Sequence, residues 1–153
     1  MRTVVPIAVF LTLSLNVGYT HAAAPDSSLP DQQTLDALEV RASQAQPREQ
    51  AFLYAQLVQQ MTELSINQYQ AGNVSRAAGL LQQIQRIAKK IHLKVSDNDK
   101  RLKNAELMLS QTAFRLSEML QASSIDDRPL VEQTLAQVTD AKNAALLEVF
   151  RSK

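Results

Sequence analysis

The chain has 153 residues with 16 basic and 15 acidic side chains, a formal charge of +1, so no overall field draws it to nucleic acid or to a membrane surface. It contains no cysteine, which excludes disulfides, thiolate metal sites and covalent haem attachment together and leaves packing as the source of stability. Three glycines in the whole chain, beside abundant Ala, Leu and Gln, suit long helices joined by few turns.

At the start, Arg2 precedes an apolar run from Val4 to Val17, and small residues follow at Ala22, Ala23 and Ala24, the three-part pattern of a cleavable export signal. The run is shorter than the roughly 20 residues that span a bilayer, and no later segment comes closer. Cleavage is expected after Ala22, with Thr20 and Ala22 as the small residues the peptidase reads. The expected organisation is therefore a signal peptide over 1–22, a flexible tether over 23–30 and one domain over 31–153, located in the periplasm or secreted. Loss of Arg2 leaves 15 basic against 15 acidic residues in the mature chain.

Asp31 is placed to cap a short helix carrying Leu35, Leu38, Ala42 and Ala45 at helical spacing, and Pro47 interrupts it. The same proline suits the first turn of a second helix, with Glu49 favourable beside the helix N-terminus. That helix shows Leu53, Tyr54, Leu57, Val58, Met61, Leu64 and Tyr69 on one side. Gln56, Gln59, Gln60, Glu63, Asn67 and Gln70 lie on the other, which reads as the wet face. Gly72 stands where a left-handed C-terminal residue is expected, and Asn73 can cap the next helix, so the two helices should pack antiparallel. The third helix carries Ala77, Leu81, Ile84, Ala88, Ile91 and Val95. Ser96 and Asp99 have the spacing of a capping box, predicting a fourth helix with Leu102, Leu109, Leu116 and Leu120 inward. After a loop from Ser123, Asp126 or Asp127 can cap a fifth helix striped by Val131, Leu135, Val138, Ala145 and Val149. Helices are thus expected near 31–45, 47–70, 74–94, 97–122 and 128–151, with no strand. The predicted fold class is all-α, an antiparallel bundle of four long helices plus a short N-terminal one.

Leu64, Ser65, Gly72, Asn73, Ala77 and Leu81 together resemble one tetratricopeptide-type helical hairpin: a small residue inside the first helix, Gly-Asn at the turn, and a small-then-large pair in the second. The strings FLYAQLVQQMTEL, KRLKNAELM and QTAFRLSEML are similar to a group of small exported bacterial helical proteins of unknown function. The first resemblance implies close helix packing at Ser65 and Ala77; the second implies no activity.

Few residue combinations here support catalysis. His92 is the only histidine outside the signal, and Lys89 stands where a di-iron Glu-x-x-His pair needs its carboxylate. Asp97-Asn98-Asp99 lacks the glycine and closing glutamate of a calcium loop. No catalytic residue, cofactor or metal is expected. Two features do invite contacts. Lys89, Lys90, Lys94, Lys100, Arg101 and Lys103 gather around the turn between the third and fourth helices, where basic side chains opening a helix oppose its dipole. Leu107 and Phe114, seven apart on the fourth helix, fall on the side away from its leucine stripe, and the fifth helix is the expected neighbour to cover them. These eight residues form the candidate interaction surface of a non-catalytic, exported interaction or scaffold module. Its expected partner is a protein, with an anionic envelope component as a further contact; the alternative is a binder of an apolar or amphipathic small molecule held between helices.

Overall fold

The structure is a computed structural model and describes residues 29–91 and 99–151. The signal and nearly all of the tether, His92, Lys94 and the Ser96 to Asn98 cap lie outside the described residues. The protein is all-helical, and no strand occurs among the described residues. Five helices follow in order: α1 (Gln32–Gln44), α2 (Pro47–Gln70), α3 (Val74–Ala88), α4 (Asp99–Ala122) and α5 (Arg128–Arg151).

Each start and stop has a local cause. Asp31 accepts the Thr34 main-chain N–H at 2.8 Å, and hydrogen bonding with the Thr34 side chain, then with its main chain, holds the Asp31 carboxyl below the usual carboxylate range. Pro47 opens α2, where its missing N–H costs nothing, and Gln50 reaches back to the Ala42 carbonyl to tie α2 to α1. α2 ends in the paired bonds of a glycine stop: Asn73 N–H donates to Gln68 O at 2.8 Å and Gly72 N–H to Tyr69 O at 3.0 Å. Gly72 has φ +82°. The Asn73 side chain does not cap α3 as expected; it donates to Gln68 Oε1, so it closes the previous helix instead.

A Cβ at residue 72 would meet no atom within 4 Å, so the cost of a side chain there is conformational alone. Gly72→Val is expected to lower stability by about 1–2 kcal/mol, read as a shift in urea midpoint at constant slope. An unchanged midpoint would show that the turn relaxes to negative φ.

α3 stops at Ala88 rather than near residue 94. Lys90 N–H bonds to Ile87 O and Ile91 N–H to Ala88 O, a tightened final turn that leaves Ile91 buried. The expected inward residues of α1 and α3 are buried or half-buried as far as they are described, joined by Leu80 and Ile87.

Helix neighbours define the arrangement. α2 packs against α1, α3 and α4, while α5 packs against α4 and α3. The short turns make α2–α3 and α4–α5 antiparallel hairpins. Between hairpins the direction differs. Glu49 meets Arg101, Gln59 meets Gln111 and Glu63 meets Arg115, partners that advance together, so α2 and α4 run parallel. An arrangement antiparallel throughout is therefore corrected to two antiparallel hairpins side by side. The ten residues between Ala88 and Asp99 explain this: a tight turn would have forced α3 against α4, whereas a longer connection lets α4 settle beside α2.

Placed among three helices, α2 is buried on most of its circumference, including Ala55, Thr62, Ser65 and Ile66. The core runs through Leu35, Leu53, Leu57, Met61, Ile84, Leu109, Leu116, Val131 and Val138. α4 and α5 contribute small and hydroxyl residues to it. Ala105 and Thr112 are buried on α4, Ser123 just beyond its end, and Thr134, Ala141 and Ala145 on α5. The hydroxyls are satisfied locally: Thr112 donates to Met108 O, Ser123 to Met119 O, and Thr134 to Leu130 O while accepting from Gln85 Nε2.

Candidate functional site

The face of α2 that reads as wet is where α4 sits. Gln59 and Glu63 are half-buried, and Gln59 Nε2 donates to Gln111 Oε1 at 3.0 Å. Arg115 binds Glu63 through two parallel bonds, Nε to Oε1 at 3.0 Å and Nη2 to Oε2 at 3.1 Å. Its Nη1 donates to Glu118 Oε2 at 2.6 Å. Hydrogen bonds that it donates to Glu63 and then to Glu118 raise the guanidinium above its ordinary pKa, so it is a fixed cation on this seam. Further along, Tyr69 O–H donates to Asp127 Oδ2 at 3.0 Å and its oxygen accepts the Ser124 N–H at 2.9 Å. Ser124 O–H donates to the same Asp127 oxygen. This pins the α4–α5 loop onto the end of α2 and employs Asp127 there.

Beside that seam α4 carries Leu107 and Phe114 on its outside. At 100° per residue the two lie about 20° apart. α2 and α5 occupy the two flanks of α4, so the direction away from the core is left open. Leu107 is 54% exposed and Phe114 63% exposed. The expectation that α5 covers them is therefore corrected. Leu147 and Phe150 of α5 also point outward, because the inward positions of its last turns are taken by Ala145 and Glu148. Phe114 forms one wall of an open groove of about 450 Å³ between α2 and α4, completed by Gln59, Glu63, Ser110, Gln111 and Arg115.

The basic residues do not form one tip. Lys89, Lys90, Lys100, Arg101 and Lys103 are all exposed, but α3 and α4 are not neighbours among the described residues, and this separates the group. Lys90 turns toward α1 and α2, with Nζ 3.2 Å from Glu39 and 5.9 Å from the Tyr54 ring centre. Arg101 turns toward α2, where it shares Glu49 with Arg41. Lys100 and Lys103 stay with the outer part of α4. The sequence reading missed Arg115 and Glu63; the only signal was a glutamate in an otherwise uncharged glutamine stripe.

Among the described residues no group of three or more His, Cys, Asp and Glu stands together in a way that would hold a metal ion. No described helix is long and apolar enough to cross a membrane. Neither a protein-family model, nor a curated protein, nor a solved structure matches the chain.

Proposed function

We propose that this chain is an exported, non-catalytic helical interaction module, whose two hairpins form a rigid four-helix bundle with α1 as a brace and whose outer α4 face makes the contact. The export part of this reading rests on the pattern of residues 1–22. The observation that carries the contact is the exposure of Phe114, a large aromatic ring directed away from the core beside a groove with a fixed Arg–Glu pair. Solvent-facing aromatics of this kind serve as anchors at interfaces. The alternative of a small molecule held between the helices has less support, because Leu57, Met61, Ile84, Leu109, Leu116 and Val138 fill that space.

Phe114→Ala tests the proposal. Its melting temperature should move by less than about 2 °C, since the ring contributes little to the core. Sedimentation velocity and cross-linking should show weaker self-association or partner binding. A variant unchanged in stability and in both association assays would remove this face from the function.

A further inference from the structure

The exposed side of α4 carries a regular stripe. Lys100, Asn104, Leu107, Gln111, Phe114 and Glu118 are exposed and recur at alternating spacings of four and three, and Gln121 continues the series. That repeat averages about 3.5 residues, the period at which a helix keeps one edge toward a second helix wound around it. The edge is unobstructed. Among the described residues α4 packs against α2 and α5 and not against α3, so it stands at a corner of the bundle with this stripe outward. Charge divides the stripe in two. Before Leu107, α4 carries Lys100, Arg101 and Lys103 against Asp99 and Glu106, while Arg101 and Arg41 share Glu49. After Phe114, two carboxylates, Glu63 and Glu118, hold the single guanidinium of Arg115. An excess of positive charge therefore lies on one side of the Leu107–Phe114 pair and an excess of negative charge on the other.

Resting on the reading of this face as the contact surface, we propose that its partner is a second copy of the chain, with the two α4 helices antiparallel about a two-fold axis beside Ser110 and Gln111. Residues equidistant from the axis then meet, so Leu107 of each copy packs on Phe114 of the other, at the open groove that Phe114 walls. Lys103 stands opposite Glu118, Glu106 opposite Arg115, and Lys100 opposite Gln121. These are oppositions of sign between copies, and they leave each side chain's bonds within its own chain in place. A parallel pairing would set Lys100 on Lys100 and Glu118 on Glu118, and opposed like charges disfavour it. The face is complementary to itself, which is the condition for an isologous contact. Only the Leu107–Phe114 contact, made twice, is apolar, so the dimer is weak and reversible.

Sedimentation velocity tests the pairing, using the chain from Ala23 onward, which retains every core residue from Leu35 to Ala145. A monomer–dimer equilibrium is expected, with a dissociation constant on the order of 100 µM or below. Leu107→Ser and Phe114→Ser, each with an unchanged circular dichroism spectrum, should weaken it at least ~tenfold, and salt should weaken it as well. The chain has no cysteine, so single-cysteine variants report the register directly. Lys100→Cys and Gln121→Cys chains, mixed in equal amounts under mild oxidation, should form the mixed disulfide in preference to either homodimer. Preferred homodimeric disulfides, or no mixed one in a sample that sediments as a dimer, would overturn the antiparallel register. A chain still monomeric at about 1 mM would overturn self-pairing, and the contact-face reading would then rest on whether Phe114→Ala weakens association with another protein. A dimer that neither serine variant weakens would lie elsewhere on the molecule and overturn the assignment.

Discussion

Leu116→Ala should lower the unfolding free energy by about 2–5 kcal/mol, the range for truncating a buried leucine when the surrounding helices only partly collapse into the space. Leu116 is fully buried on α4, which is held between α2 and α5 along its length. In so small a domain this corresponds to a fall in melting temperature of roughly 10 °C or more. Phe114, two residues earlier on the same helix, is the natural control because it is the larger side chain and yet is mostly exposed. Differential scanning calorimetry on the two variants should show a large fall for Leu116→Ala and almost none for Phe114→Ala. Equal falls would mean that the outer face of α4 is covered.

The second large effect is expected at a buried contact between α2 and α3. Ser65 and Ala77 are both fully buried, and the Ser65 hydroxyl donates to the Ala77 carbonyl at 3.1 Å. The helices can come this near only because both side chains are small. Ala77→Leu should destabilise by about 1–3 kcal/mol through overpacking, although leucine is nearly as good a helix former as alanine. Urea unfolding measures this directly. A variant as stable as the original chain would show that residue 77 does not set the spacing, and the likeness to a tetratricopeptide-type hairpin would then lose its packing rationale.

The elements that were legible in the sequence are those whose signals are local. Pro47 and Gly72 mark a helix start and a helix stop through backbone restrictions that act wherever they occur, and the structure places α2 between them. The stripe of α3 was equally plain, since one apolar face met one core. Where a helix serves several neighbours, the stripe misleads. Gln59 and Glu63 looked like a solvent face because they are polar, but they meet Gln111 and Arg115 across a seam where hydrogen bonds replace apolar contact. Thr134 and Glu148 were missed on α5 for a related reason: they are buried with local or cross-helix partners that a hydrophobicity pattern does not reveal.

The candidate surface divides along the same line. That Leu107 and Phe114 lie off the main stripe of α4 follows from 3.6 residues per turn and was readable in advance. Whether a neighbour covered them was not, because coverage depends on which flanks α2 and α5 occupy. The basic residues were adjacent in sequence around one turn, yet Lys90 ends beside Glu39 and Tyr54 while Lys100 stays on α4. By itself, then, the sequence determined an all-helical chain, the turn at Gly72 and the amphipathic character of each helix, since backbone sterics and side-chain period act within a few residues. The tertiary structure alone decided that α2 and α4 run parallel, that Arg115 is held by Glu63, and that Phe114 faces outward. Each of these depends on where a helix comes to rest after a connection that does not dictate its neighbour, so it is settled by packing among segments far apart in the chain.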